Sequence, residues 1–482
     1  MLVPHLGVVD LARLQFAGTT AIHWLFVLLT LGVVPVVAAF HTCAAFTRDP
    51  VRRAARERAT RFWGQLYVIN YAVGIVTGLV MEFQFGLAWS GLSKVFGNVI
   101  GAPIALETLV AFFAESTFLG MWIFGWGRLR PWLHAGLLWV VTLTAYASAY
   151  FILVSNGFMQ HPVGFETREG TAHLTDLRAV LTNPSALYAF AHVSAAAVLC
   201  GGVFLAGVSA YHVARRSADR RFFLPSLRVG LVLAALASYP VYRLGVKQYP
   251  LLGRTQPMKL AAGKGGPRVA KLQDAMAAQH GPGDYVPPAW IAHAEEVMLR
   301  TGMLTMAIVL LAVVVVFHSA LTRFPVIAVL FALGYPMTLV RTAGGLLPGV
   351  SERGRYGIAL ALVVLLLVLG GRVARRPATA WLLVAAIPLP FLASVGGWVF
   401  REVGRQPWLV YGQLTVDEAV SHVSVATMWA SCIAFLTVFA ALALTDWALI
   451  ARFAARGPAG TQLGAPEPVD PITDAGEFAR VL

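Results

Sequence analysis

The sequence predicts an all-α fold: a polytopic transmembrane helix bundle of about eleven spans, N-terminus outside and C-terminus cytoplasmic. Three observations predict it. The 482 residues are 58% hydrophobic and only 12% charged, with a mean hydropathy of +0.71, whereas soluble domains carry roughly 25% charged residues. The apolar residues fall in runs of about 20, the length that crosses a bilayer as a helix. The arginines gather in short connections between alternate runs. The excess of Lys and Arg over Asp and Glu (37 against 23, net charge +14) therefore follows the positive-inside rule rather than a nucleic-acid partner.

In chain order the runs fall near 18–42, 62–86, 101–126, 132–155, 186–212, 222–245, 298–319, 324–345, 356–372, 379–401 and 421–450. Arg48, Arg52, Arg53, Arg56, Arg58 and Arg61 join the first two. Arg128 and Arg130 follow the third, and Arg215, Arg216, Arg220 and Arg221 the fifth. Arg372, Arg375 and Arg376 follow the ninth, and Arg452 and Arg456 the last. All lie on one side if the N-terminus is outside and the C-terminus inside. The chain then divides into an N-terminal bundle (1–245), an outer loop (246–290), a C-terminal bundle (291–455) and a flexible Pro/Gly-rich tail (456–482). The outer loop is rich in Gly, Pro, Gln and Lys, with a helical pattern from Arg268 to Met276. Its cations do not reverse the topology, because long loops translocate largely regardless of charge. Residues 161–185 form a second, mixed-charge outer loop. Asp10 and Arg13 precede the first run and no small-residue cleavage site follows, so the first helix is expected to be the insertion signal. Cys43, Cys200 and Cys432 are scattered through apolar sequence, without disulfide or metal spacing.

Polar residues inside these runs are costly in hydrocarbon unless they meet partners, water or a metal. Glu402 ends an otherwise apolar helix, closed by Gly404-Arg405-Gln406-Pro407-Trp408. His23 and His192 lie near the outer ends of their runs. Each imidazole suits either a helix–helix hydrogen bond or a haem iron. Met298 is either core filler or a thioether ligand. Glu107 and Glu115, eight residues apart, rise about 12 Å along one helix. That separation suits a proton relay assisted by hydroxyls such as Ser116 and Ser148, the plainer reading being ion pairing to intramembrane Arg. No nucleotide-binding loop or Ser/His/Asp set accompanies them. The constellation fits redox chemistry on haem with proton delivery better than substrate transport.

These residues resemble subunit I of the cytochrome bd-type terminal oxidases, which oxidise quinol and reduce oxygen to water. The resemblance rests on Leu11-Ala12-Arg13-Leu14-Gln15-Phe16, Phe62-Trp63-Gly64, Met81 to Gly86, Gly101-Ala102-Pro103, Glu107 to Phe118, Phe124-Gly125-Trp126, Asn156 to Pro162 and Gly404 to Trp408. It implies that His192 and Met298 are the axial ligands of a low-spin haem b. It further implies that His23 and Glu402 each bind one of two other haems, a high-spin haem b and a haem d or third haem b. Glu107, Glu115, Ser116, Ser148 and Asn156 would form the proton route from the cytoplasm. Trp398 would lie beside the haems, and Arg13 and Arg405 would neutralise propionates. Gln256 and Lys259 would belong to the quinol-binding loop. The implied partners are subunit II, small accessory subunits, ubiquinol or menaquinol, oxygen and membrane lipid, with no nucleic acid. The implied location is the bacterial cytoplasmic (inner) membrane, where electrons from outside and protons from inside generate proton motive force without transmembrane pumping.

Three features depart from the family pattern. Lys264 stands where the family has an acid implicated in quinol oxidation, and Glu296 where it has an Arg beside the low-spin haem, with Arg300 nearby. Both leave a non-quinol electron donor as the alternative expectation. The runs at 324–345 and 356–372 are additional, and as a pair they preserve the orientation of Glu402.

Overall fold

The computed structural model describes residues 6–323, 349–373 and 376–464. Helix α1 (Val8–Ala45) starts at Gly7, whose N–H donates to the Asp10 carboxylate at 3.2 Å. Helix α2 (Pro50–Leu87) is capped by Asp49, which accepts from the N–H groups of Val51 and Arg52, satisfying donors that a helix start leaves unpaired. Helix α3 (Ser90–Leu106) contains Pro103 in its last turn. Proline supplies no N–H to the ladder, and a π-helical segment (Glu107–Phe112) follows before α4 (Phe113–Phe124). Helix α5 (Pro131–Gln160) leads to a hairpin of β1 (Phe165–Arg168) and β2 (Thr171–Leu174), Phe165 opposite Leu174. Glu169 and Gly170 turn it with φ of 49° and 76°, the left-handed pair that tight hairpins require.

The chain continues through α6 (Leu177–Leu181), α7 (Pro184–Ala214) and α8 (Arg220–Thr255). Then come the short α9 (Pro257–Ala262) and α10 (Pro267–His280), and α11 (Ile291–Val316) and α12 (His318–Arg323). Helix α13 (Glu352–Val373) is followed by α14 (Pro377–Ala385) and α15 (Pro388–Val403), which form one span. A hairpin of β3 (Trp408–Val410) and β4 (Leu414–Thr415), α16 (Val416–Ala419), α17 (Val425–Arg456) and a 3-10 turn (Gly457–Gly460) complete the described residues.

Ten helical segments among the described residues are long and apolar enough to cross a membrane. The expected run at 324–345 lies outside the described residues; its companion at 356–372 is α13. Several boundaries differ from expectation: α2 starts at Pro50 rather than near 62, and α3 at Ser90 rather than near 101. Helix α1 begins about ten residues early, because Gln15 lies fully buried between Gln84 and Ser431 and continues the helix inside the protein. Helix α8 runs through Pro240 and Pro250 to Thr255, so the loop expected from 246 starts at Gln256. The two hairpins are the only strands among the described residues.

Helix α1 is the centre of the bundle, against α2, α5, α7 and α17. It meets α7 backbone to backbone: a Cβ on Gly32 would lie 2.2 Å from the Ala197 carbonyl oxygen and 2.8 Å from Gly201 N. The surrounding core holds Leu28, Val33, Trp63, Tyr67, Phe204 and Phe223. The arginine-rich end is tied by Arg58 to Asp219, His212 to the Ala454 carbonyl, and the Gln462 N–H to Gln65. The opposite end is tied by Ser421 to Ser90 and by the Tyr411 N–H to the Met159 carbonyl. Helix α13 packs parallel to α11, with Ala359 and Val363 against Leu310, and the Leu367 carbonyl 2.8 Å from His318 Nε2.

Candidate functional site

A cavity of ≈ 260 Å³ lies between α1, α2, the π segment and α5. His23, Glu82, Glu107, Glu115, Ser148, Asn156 and Trp398 are among its walls, so six residues singled out in separate parts of the sequence share one space with Glu82. His23 Nδ1 is 2.9 Å from Thr77 Oγ1, whose own hydroxyl donates to the carbonyls of Val73 and Gly74. Thr77 therefore accepts from Nδ1–H, which leaves a lone pair on His23 Nε2, the tautomer a metal requires. Gly78 keeps that side open: a Cβ there would sit 3.2 Å from His23 Cε1. Trp398 packs tilted against Phe16, with ring centroids 6.1 Å apart.

On the opposite wall Glu107 accepts from Ser148 at 2.6 Å. Thr108 Oγ1 lies 3.0 Å from both Glu107 Oε2 and Glu82 Oε1. One hydroxyl carries one proton, so both contacts are hydrogen bonds only when one of the two carboxyls is protonated. Glu115 lines the same cavity one stretch further along the helix, and Ser116 Oγ is 3.4 Å from the Tyr71 hydroxyl. A π bulge that lifts Glu107 toward a cavity matches the usual place of such bulges, at functional sites.

Glu402 stands at the C-terminal end of α15 in a polar cluster. Its Oε1 accepts from Asn156 at 2.8 Å and Gln160 at 3.1 Å, and its Oε2 from Arg405 at 2.7 Å. Asn156 in turn accepts from Arg401 Nε at 2.8 Å, so this residue joins the Glu402 cluster to the cavity. Lys259 Nζ donates to Gln160 Oε1 and the Arg401 carbonyl, at 2.9 and 2.8 Å, and Gln256 Nε2 donates to Gln160. Neither Gln256 nor Lys259 is open to the surface, each being at most 2% exposed. Burial, then the neighbouring Arg401 and Arg405, hold the Lys259 amine well below its ordinary pKa. Burial also lowers that of Arg405, against the opposing pull of Glu402. Three basic side chains thus face one carboxylate.

His192 on α7 and Met298 on α11 are each bordered by glycine. A Cβ on Gly245 would lie 3.3 Å from His192 Cε1 and 3.7 Å from Nδ1, and one on Gly397 would lie 2.8 Å from Met298 Sδ. His192 Nδ1 is buried with no hydrogen-bond partner among the described residues. The same holds for Arg13 Nε and for Arg405 Nε and Nη1. The guanidinium N–H groups call for an acceptor, and the imidazole nitrogen for an acceptor or, when unprotonated, a metal. A haem would fit these demands: His23 and His192 could offer it imidazole nitrogens, and Arg13 and Arg405 could offer its propionates guanidinium N–H groups. Glu402 Oε2, with one partner, retains a lone pair for a metal.

Glu296 and Arg300 form an exposed ion pair with each other, so Arg300 is not turned toward Met298. Lys264 is exposed. Sequence reasoning did not single out Thr77, Glu82, Thr108, Gln160 or Arg401. Glu82 and Thr108 stood inside or beside quoted motifs without a role, and the signal that finds them is the partner supplied by another helix.

Fold and site together define a multi-pass membrane protein with imidazole and carboxylate side chains gathered around a buried cavity. A family model described as Cytochrome bd terminal oxidase subunit I matches residues 11–274 and 263–458, and the chain belongs to this family of haem-containing oxidoreductases. It is 36% identical over 437 residues to Cytochrome bd ubiquinol oxidase subunit 1 of Bacillus subtilis (strain 168), covering 88% of this chain and 89% of the relative. It is 29% identical over 520 residues to Cytochrome bd-II ubiquinol oxidase subunit 1 of Escherichia coli (strain K12), covering 94% and 98%. The fold is similar to that of the bd oxidase from Geobacillus thermodenitrificans, with a TM-score of 0.70, 24% sequence identity, and 94% and 99% of the two chains covered.

Proposed function

We propose that this chain is the haem-bearing subunit I of a quinol:oxygen oxidoreductase in a bacterial cytoplasmic membrane, paired with subunit II. His192 and Met298 would hold a low-spin haem b, and His23 and Glu402 one each of two further haems. When bound, these groups supply one-electron transfer and oxygen chemistry. The observation that carries the reading is the set of unpaired buried nitrogens (His192 Nδ1, Arg13 Nε, Arg405 Nε and Nη1) together with the free Nε2 of His23.

The chain's own residues do the rest. Thr77 fixes the His23 tautomer. Asn156, Gln160 and Arg405 hold the Glu402 carboxylate in one orientation. Arg401, Arg405 and Lys259 give that end of the site a positive excess that favours carboxylate-bearing ligands. Glu115, Glu107 and Ser148 hold protons along the cavity wall, as intramembrane acid chains on proton paths do. With protons drawn from the arginine-rich, cytoplasmic side and electrons from the other, turnover would generate proton motive force without transmembrane pumping.

A second reading replaces quinol with another donor docking on the outer face. The inward engagement of Gln256 and Lys259 and the exposed Lys264 favour it. Oxygen uptake by the complex purified from membranes decides between them. Uptake driven by ubiquinol or menaquinol analogues is expected, with a reduced-minus-oxidised spectrum showing low- and high-spin haem. A haem-loaded complex that dithionite reduces but no quinol does would overturn the leading reading in favour of the second.

A further inference from the structure

Oxidation of a hydroquinone releases two protons with its two electrons, so a base is needed close to where the electrons enter. The first two turns of α11, which lead to Met298, carry two carboxylates. Glu296 is exposed and paired with Arg300. Glu295 is half-buried and turns to α8, where the Tyr249 hydroxyl donates to its Oε1 at 2.5 Å. Glu295 lies three residues before Met298, about 4.5 Å nearer the helix end and on the same face. Tyr249 lies four residues after Gly245, the glycine that borders His192. The pair therefore sits about one helical turn outside the expected iron-ligand level, with each member on a helix that borders a ligand. Two other candidates on this side are engaged elsewhere. Lys259 is committed to Gln160 and Arg401, and Asp284 accepts its own turn's Val286 N–H.

We propose that Glu295 is the base that accepts the hydroxyl protons of the donor hydroquinone, with Tyr249 as the positioning residue that orients its carboxylate; this rests on the quinol reading above. The balance is simple. Each hydroxyl O–H bond breaks in turn, its proton passes to Glu295 and from there to outer-face water. The two electrons leave singly to the oxidant, a haem of the class His192 and Met298 would hold, and the quinone departs. The other charged or titratable groups on the packed elements near this end are Arg243 and Lys247 on α8, His293, Glu296 and Arg300 on α11, and Arg401 on α15. A short hydrogen bond to one oxygen leaves the second oxygen of Glu295 free for substrate.

The test uses the haem-loaded complex and three measurements: stopped-flow haem reduction by a quinol analogue across pH, fluorescence binding of a hydroxyquinoline N-oxide, and the dithionite-reduced spectrum. Glu295→Gln is expected to slow quinol-driven reduction by about 100-fold or more, the usual weight of a general base, with N-oxide binding and spectrum retained. Tyr249→Phe is expected to displace the pH–rate profile, a change that loss of a merely structural helix contact would not produce. Wild-type rates and profile in Glu295→Gln overturn the proposal. Should that variant fail to take up haem, Glu295→Asp carries the test: slowed reduction with an intact spectrum supports the proposal, and an unchanged rate overturns it. If the wild-type complex is reduced by dithionite but by no quinol, the donor reading itself has failed, and the proposal falls with it for a recognisably different reason.

Discussion

Lys259 shows how one buried side chain marks the site. Its amine lies in the polar cluster around Glu402, held below the ordinary range by burial and by Arg401 and Arg405. The unfolded chain titrates at about 10.4. Between the lowered folded value and that one, the unfolded chain binds a proton the folded chain has released, so stability rises with pH across this window. The penalty is complete below the folded value and gone above the unfolded one. Lys259→Met is therefore expected to flatten the rise of the thermal midpoint with pH in the detergent-solubilised protein; an unchanged slope would show that another group sets it. At the cavity, Glu82→Gln or Thr108→Val removes one member of the hydroxyl-bridged carboxyl pair. Steady-state oxygen uptake is expected to fall by up to about 100-fold, while the spectrum stays intact; wild-type turnover would remove Glu82 and Thr108 from the proton route. His192→Ala should abolish the low-spin haem spectrum, and retention of that spectrum would assign its ligand elsewhere. Isolated polar residues such as Glu402 and His23 were legible because hydrocarbon makes them conspicuous. Their partners were not, because Thr77 is 54 residues from His23 and Gln160 is 242 from Glu402.

At the scale of elements, the long spans were legible from apolar run length alone. Their ends were less so, because helices continue wherever polar side chains find partners inside the protein, as Gln15 does. The π segment was illegible: its cue is Pro103 followed by a carboxylate that must reach a cavity, and nothing in apolar periodicity distinguishes it from an ordinary helix. The glycine contact between α1 and α7 is also invisible to hydropathy, since Gly32 and Gly201 read as bland members of apolar runs. Gly201→Ile would drive a branched side chain into the Gly32 backbone. Overpacking of this kind costs about 1–3 kcal/mol, occasionally more. A lowered thermal midpoint of the purified complex is the expected outcome, and an unchanged midpoint would mean that the two helices can separate freely.

For the whole molecule, the two ends differ in chemistry. One gathers the arginines of alternate connections; the other carries both hairpins, α9, α10 and the Glu402 cluster. Large apolar side chains such as Phe83, Leu109, Phe113 and Phe124 stand exposed along α2, the π segment and α4. That flank is suited to lipid or to the subunit II of the proposed complex. Orientation is testable with a reporter active only outside the cytoplasm. Fusion after Lys264 should be active and fusion after Arg48 inactive; the reverse pattern would invert the proposed topology and, with it, the sides from which electrons and protons arrive.

On the proposed reading, the contact of Gly32 with Gly201 would bear on electron transfer itself. It lies about two and a half turns from His192 on α7, where side chains no longer separate the two helices and the peptide planes meet directly. Peptide dipoles locked in that way cannot swing when an electron arrives nearby. A medium that stays still as charge moves keeps the reorganisation energy small. The two glycines would then serve electron transfer by holding their surroundings rigid, although neither would touch an iron, an electron donor or a proton.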